Sequence, residues 1–362
     1  MSSAKNNKKI LFICPYPFDI APGQRFRYEQ YLDILSENQF DYSIHSFLDK
    51  HTNEILYKKK YFLRKTFGVF KGFIKRIFLL FQLRKYNFVF IFREAAPIGP
   101  PIFEWIIAKV FRKKIIYDFD DAIWLPNTSR MNRIISFIKW HGKVKSICRW
   151  AYKVSAGNRY LCEYASHYNS NVVLNPTTID TLHLHNKIKN HSDEKVIIGW
   201  TGTHSTIKYL DEMIPIIKEL EKKYSFEFRI IADKNPFLPL ESFTFNPWNK
   251  ETEINDLLNF NIGIMPLVND AWSKGKCGFK ALQYMALGIP PIVSPIGINT
   301  EIVQHGKNGF IADSYRDWID SLSQLITNQS LRIKMGTEAR KTIVENYSVQ
   351  SNTLNFLSLF ED

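Results

Sequence analysis

Residues 274–312, KGKCGFKALQYMALGIPPIVSPIGINTEIVQHGKNGFIA, constrain what this chain can fold into more than any other stretch. Ala281, Leu282, Met285 and Ala286 repeat at helical spacing and predict a helix over Phe279–Leu287. Gly288 suits its C-cap, and Pro290 and Pro291 forbid its continuation. A short buried strand, Ile292–Ser294, follows, then a turn over Pro295–Gly297 and a second helix start at Asn299–Val303. The polar HGKNG loop leads to Phe310 and Ile311. A helix closed by glycine and proline ahead of a short apolar strand is one unit of a parallel α/β sheet. Gly275 and Gly278 precede the first helix, where a glycine-bearing loop offers backbone N–H groups and a helix N-terminus to a phosphate. Lys276 and Lys280 stand on the same turn, and cations there oppose the helix dipole unless an anion is bound.

The rest of the second half repeats this alternation. Val196–Trp200 reads as a strand, followed by Thr201-Gly202-Thr203-His204 and a helix over Thr206–Tyr224. Phe226–Ala232, Phe243–Asn246 and Ile262–Met265 read as strands, and Glu251–Phe260 as a helix. Three helices follow, over Tyr315–Asn328, Ser330–Glu345 and Ser348–Phe360. The first half opens in the same way. Strand Lys9–Cys14 runs into the loop PYPFDIAPGQRFR, which holds Gly23, Gln24 and Arg25, and then into a helix over Tyr28–Ser36. Strands are expected at Asp41–Phe47, Phe88–Phe92, Lys114–Asp118, Lys153–Ala156 and Asn171–Leu174. The fourth of these six first-half strands ends in the acidic loop Asp118-Phe119-Asp120-Asp121, at the carboxyl end where parallel sheets bind ligands. The opening lacks G-x-G-x-x-G, so a dinucleotide is not indicated. Residues 180–195 are polar and carry no buried pattern, which reads as a linker. The predicted fold class is therefore α/β, with two Rossmann-like domains.

Residues 274–312 resemble the donor-binding segment of family 4 glycosyltransferases with the GT-B fold. The resemblance is carried by Gly278-Phe279, Gln283 to Ala286, Gly288 to Val293, Gly297, Glu301-Ile302-Val303 and Gly306 to Gly309. It implies two Rossmann-like domains facing across a cleft, a nucleotide-sugar donor held by the second domain, an acceptor held by the first, retention of anomeric configuration and no metal cofactor. Two departures stand out. The family's paired glutamates fall on Gly275 and Gln283, of which Gln283 can still bond a ribose hydroxyl. The family's Arg and Lys after the second domain's first strand fall on Thr203 and Lys208, with Gly202 matched, so one cation is lost and Lys280 is expected to replace it. Donor contacts are thus expected from Gly202, Thr203, Lys208, Lys276, Gly278, Phe279, Lys280 and Gln283. Asp120 and Asp121 take the places of the family's His-Asp pair beside the reacting sugar and, with Lys280, are the expected catalytic residues. Gly23, Arg25 and Asp118 are expected at the acceptor side. Asp118-Phe119-Asp120 also spells a metal-binding D-x-D, which the family does not use. A nucleotide-sugar epimerase of the same fold, or a decayed transferase serving as a membrane-surface adaptor, would share these features.

The expected domains are 1–190, 191–345 and a terminal helix, 346–362, returning to the first. Charge separates by domain: residues 1–190 carry 31 Lys+Arg against 14 Asp+Glu, or +17, and residues 191–362 carry 17 against 21, or −4. Such a basic half calls for an anionic partner. Residues 57–86 interleave Lys and Arg with Phe67, Phe70, Ile74, Ile77, Phe78 and Phe81, a pattern that suits either a helix in a membrane interface or a core helix with a basic back. A second basic amphipathic stretch runs from Arg130 to Lys153. No stretch is apolar enough to span a bilayer, the N-terminus reads as no signal peptide, and four scattered cysteines indicate no disulfide framework. A cytoplasmic chain held at the inner face of the membrane is expected, with a UDP- or GDP-sugar and a lipid-linked or glycan acceptor as partners, and no nucleic acid.

Overall fold

The computed structural model describes residues 7–56, 58, 60–126, 138–192 and 195–361. Two compact units are present, residues 1–177 with 353–362, and residues 178–352. The first unit is a six-stranded parallel sheet of β1 (Lys8–Cys14), β2 (Phe40–Ser46), β3 (Phe88–Phe92), β4 (Lys114–Phe119), β5 (Lys153–Ala156) and β6 (Val172–Leu174), in the order 2-1-3-4-5-6. Helices α1 (Pro22–Arg27), α2 (Leu32–Glu37), α3 (Lys50–Ile55), α4 (Phe62–Leu80), α5 (Ile102–Trp105), α6 (Lys143–Trp150) and α7 (Arg159–Ser166) make its crossovers. The central strands carry unbroken apolar runs, ILFIC and FVFIF, and are buried on both faces, as helices on either side of a parallel sheet require.

The second unit repeats the plan with β7 (Val196–Gly202), β8 (Phe226–Ala232), β9 (Phe243–Pro247), β10 (Ile262–Met265), β11 (Pro291–Val293) and β12 (Phe310–Ile311), in the order 12-11-10-7-8-9. Its helices are α8 (Met213–Glu221), α9 (Glu253–Leu257), α10 (Ala271–Lys274), α11 (Phe279–Ala286), α12 (Asn299–Ile302), α13 (Tyr315–Thr327) and α14 (Gln329–Thr342). A last helix, α15 (Val349–Leu357), carries the chain back to the first unit. There Phe356 stacks on Tyr31 at 4.2 Å, and Phe360 packs among Phe12, Phe40, Phe88 and Phe90.

Several local expectations change. The loop before the expected helix at Tyr28 is itself helical from Pro22, because proline at the first helical position is preset for that turn. Gly23 and Arg25 therefore lie on α1. The expected helix over Thr206–Tyr224 is a 3-10 turn, Ile207–Leu210, followed by α8. The segment read as a linker packs on the second unit. His185 is fully buried, and Arg340 donates to the carbonyls of His185 (2.6 Å) and Thr181 (3.0 Å). A polar sequence can be buried when a guanidinium satisfies its backbone, which no hydrophobic pattern announces. Of the second basic stretch, Arg130 to 137 lies outside the described residues, and α6 forms its later part.

Helix α4 has two unlike faces. On one, Gly68 packs against Thr52, Gly72 against Phe47, and Arg76 is 2% exposed. Arg76 donates to the carbonyls of Ala95 (2.7 Å), Cys14 (2.8 Å) and His45 (3.1 Å). This face holds the helix to the sheet. Leu63, Phe67, Phe70, Ile74, Ile77 and Phe78 stand on the opposite side, with Phe67 69% and Phe78 64% exposed. Among the described residues no helix is long and apolar enough to cross a membrane.

Candidate active site

In an open parallel sheet, ligands bind beyond the carboxyl ends of the two strands between which the strand order reverses. In the second sheet those strands are β7 and β10. Gly199 and Gly263 are register partners there. A Cβ on Gly199 would fall inside the Phe260 ring, and one on Gly263 inside the Tyr284 ring. The missing side chains let Tyr284 of α11 lie flat on the sheet and accept the Thr201 N–H at 3.0 Å, which pins α11 to the end of β7. Gly278 starts α11 at φ +69°, a left-handed conformation that glycine adopts without steric cost.

Gly202 ends β7, and a Cβ there would strike the Trp200 indole. The Lys280 ammonium lies 5.4 Å from the centroid of the same indole. Trp200 thus brings together a loop and a cation from distant parts of the sequence. Thr203 closes its turn through its N–H to Thr206 Oγ1 at 3.2 Å. Lys208 lies over Tyr209 at 5.3 Å, and the Tyr209 hydroxyl is 3.3 Å from Ser273 Oγ on α10. Lys276 lies 6.0 Å from the Trp272 ring of the same short helix. Phe279 is half-buried at the first position of α11. Gln283 differs from these. It is 1% exposed, and its Nε2 donates to Glu253 Oε1 at 3.2 Å, so a ribose would have to meet the pair rather than an open amide.

The first sheet reverses between β1 and β3. Beyond β3, Arg93 is held at φ +59°, with its N–H on the Asp118 carbonyl (2.7 Å) and its carbonyl accepting the Tyr117 hydroxyl (2.8 Å). Its Nε donates to Asp120 Oδ1 at 2.8 Å and its Nη2 to Asp121 Oδ2 at 2.7 Å. Burial alone would lower the Arg93 pKa, but the two carboxylates outweigh it and push the value up. Gly23 faces this cluster, since a Cβ on it would stand 3.0 Å from Asp120 Oδ2.

One acceptor-side expectation needs correction. Asp118 is fully buried in β4, with Arg27 Nε donating to Oδ2 at 3.1 Å, Arg27 Nη2 paired with Oδ1, and Ser155 Oγ donating to Oδ1. β4 ends at Phe119, so Asp118 lies within the strand against Arg27 while Asp120 falls beyond it beside Arg93, and the D-x-D spelling does not form one shared site. Arg25, expected on the same side, is 8% exposed, with Nε 3.6 Å from Asp19 Oδ1 and its guanidinium over Phe26.

Residues 184–342, which hold β7 to α14, match the sequence model described as "Glycosyl transferases group 1". The second unit belongs to that family. A poly(ribitol-phosphate) alpha-N-acetylglucosaminyltransferase of Staphylococcus aureus (strain COL) is 26% identical over 194 residues, 49% of this chain and 37% of the relative. The chain spans from 22% to 64% of the length of the curated relatives it matches. Among solved structures, sucrose-phosphate synthase from Thermosynechococcus elongatus superposes with a TM-score of 0.70 over 98% of both chains at 11% identity. The structure named TarM superposes with a TM-score of 0.71 over 98% of this chain and 99% of its own at 12% identity. The two units are those of the GT-B fold.

In this group 1 unit the sequence pattern did not single out several groups. The His204 N–H and Nδ1 both lie 2.6 Å from the Asp233 carboxylate, beyond β7 and β8. Glu253 joins Gln283 from α9, and Trp200 gathers Gly202 and Lys280. In the first unit, Arg93 was missed. A charged residue directly after a buried strand was the available signal for Arg93 and Asp233. Which carboxylate or ring each would meet depends on contacts between distant segments.

Proposed function

We propose that this protein is a retaining glycosyltransferase that moves a sugar from a nucleotide-sugar to a lipid-linked glycan acceptor in surface polysaccharide assembly. It would work at the anionic inner face of the cytoplasmic membrane. The observation that carries this reading is the meeting of Gly202 and Lys280 on Trp200 at the β7–β10 edge, inside the family-matched residues. A glycosyl donor leaves as a diphosphate, and preorganised charge on that leaving group is the chief requirement of the reaction. Lys280, Lys208 and Lys276 supply the charge a divalent ion would otherwise bring, and the loops at Gly202 and Gly278 supply N–H groups. The Glu253–Gln283 pair is suited to ribose hydroxyls.

Inversion by a single displacement needs a general base on the face opposite the leaving group. Asp120 and Asp121 each bond Arg93, a setting better suited to orienting a hydroxyl than to abstracting its proton. That supports retention, with the departing diphosphate taking the acceptor's proton. The outward apolar stripe of α4 and the +17 of residues 1–190 support an acceptor met at a membrane. The curated relative that acts on poly(ribitol-phosphate) is consistent with a phosphate-bearing acceptor.

The test is incubation with UDP- and GDP-sugars and a polyprenyl-diphosphate-linked sugar, with and without chelator. Product anomers are read by NMR. Transfer with retained configuration in chelator is expected. Failure to turn over any donor would refute the transferase reading, inverted product would refute retention, and loss of activity in chelator would refute metal independence.

A further inference from the structure

A cavity of about 360 Å³ opens at the amino-terminal edge of the first sheet, the edge away from Arg93, Asp120 and Asp121. Lys8, Arg84, Lys85, Arg112, Lys113 and Lys114 line it together with Tyr86, Asn87 and Phe88, and no carboxylate is among the lining residues. Three segments that are distant in sequence supply these cations: the start of β1, the 3-10 turn Leu83–Lys85 before β3, and the start of β4. They converge because β1, β3 and β4 are parallel neighbours that begin at the same edge.

The cavity is held in shape. The ammonium groups of Lys8 and Lys114 lie 5.6 and 5.8 Å from the centroid of one ring, Phe88, and Lys114 lies 4.7 Å from that of Tyr152. Lys113 Nζ donates to the Tyr86 carbonyl at 2.7 Å, fixing the 3-10 turn against β4. Arg112 sits at φ +49°, a left-handed conformation uncommon for a residue with a Cβ and one that tends to persist at functional sites. Six cations gathered at one small cavity make it a basic site suited to an anion.

The same turn continues α4. Phe78 and Phe81, 64% and 76% exposed, lead directly to Arg84 and Lys85, so the apolar stripe ends at the basic cavity. We propose that this cavity binds the phosphate of an anionic lipid headgroup while the α4 stripe enters the interface beside it. The phosphate site stands on the cavity alone; its lipid source rests on the proposed work at a membrane surface.

The full-length protein is tested against two kinds of probe. Inorganic phosphate and pyrophosphate are titrated in the presence of excess UDP, which occupies the proposed donor site, with thermal unfolding as readout. Vesicles of phosphatidylcholine alone, or with phosphatidylglycerol or phosphatidic acid, are tested by co-sedimentation. Wild type is compared with a cavity variant, Arg84→Gln/Lys85→Gln/Arg112→Gln, and a stripe variant, Phe67→Ser/Phe70→Ser/Phe78→Ser. Removing three charges at an anionic surface is expected to lower partition to anionic vesicles by roughly 10²-fold. The stripe variant is expected to lose vesicle binding but keep the response to pyrophosphate. Wild-type behaviour of the cavity variant with both probes would overturn the site. A pyrophosphate response that the cavity variant lacks, without vesicle binding by wild type, would refute the lipid source. Sugar transfer to a soluble acceptor, run in parallel, separates either failure from a failure of the transferase reading.

Discussion

Replacing Lys280 with alanine tests the donor site most directly. Lys280 is half-buried on the first turn of α11, with its ammonium 5.4 Å from the Trp200 centroid. The fold itself loses little when it goes. A cation–π contact of this exposure contributes about 0.5–1 kcal/mol, and a domain of this size shifts its unfolding midpoint by about 2–4 °C per kcal/mol. Removing a cation from an N-terminal turn also relieves an unfavourable dipole interaction of a few tenths of a kcal/mol or more, so the net shift should stay below about 4 °C. The leaving diphosphate loses far more. One preorganised group on a developing anion is worth about 2.7–4 kcal/mol, which is about 10²–10³-fold in rate. The assay is initial-rate sugar transfer beside a thermal melt, with Lys280→Arg as the charge-keeping control. Activity within threefold of wild type would refute the placement of the diphosphate at Trp200. A melt lowered by 10 °C or more, roughly, would show that Lys280 is structural instead.

Other perturbations separate structure from chemistry in the first unit. Arg76→Met strips the donor from three buried carbonyls and is expected to cost about 3–5 kcal/mol, seen as a melt lowered by roughly 10 °C. Asp118→Asn breaks a fully buried ion pair with Arg27 and is expected to cost about 3–5 kcal/mol, whereas Asp121→Asn should leave the melt within about 1 kcal/mol of wild type and lower turnover. Equal melts for the two variants would contradict the difference in burial. Burial raises the Glu104 pKa above its ordinary 4.5, against the opposing Ala95 N–H. A raised folded-state value means its stabilising contribution is present below the unfolded pKa and lost as pH rises through the folded one. Urea melts from pH 4 upward should therefore fall less steeply with pH in Glu104→Gln than in wild type.

The α/β class, the two repeated halves and the position of nearly every strand along the chain were legible because a strand buried on both faces needs an unbroken apolar run. Runs such as FVFIF and IGIM, with glycine and proline between them, allow few other readings. The glycine-led start of α11 was legible for a similar reason, since Gly278 at a positive φ is a local requirement. The Arg93 cluster was not legible, nor was the Glu253–Gln283 pair, because each joins side chains from different crossovers.

The amino-acid sequence by itself determined that α4 would be an amphipathic helix, since 3.6-residue periodicity is local. It did not determine which face would be buried, because an apolar stripe suits a core and a bilayer surface equally well. The tertiary structure decided that through Gly68 and Gly72, which allow close approach to Thr52 and Phe47, and through Arg76, which satisfies three carbonyls at the end of the sheet. Asp118 and Asp120 differ for a related reason. Both are aspartates of one short segment, but β4 ends between them at Phe119, so one is held between β3 and β5 against Arg27 in the core and the other lies past the strand end with Arg93. Burial is a property of the neighbours a residue meets, and only the folded chain brings those neighbours together.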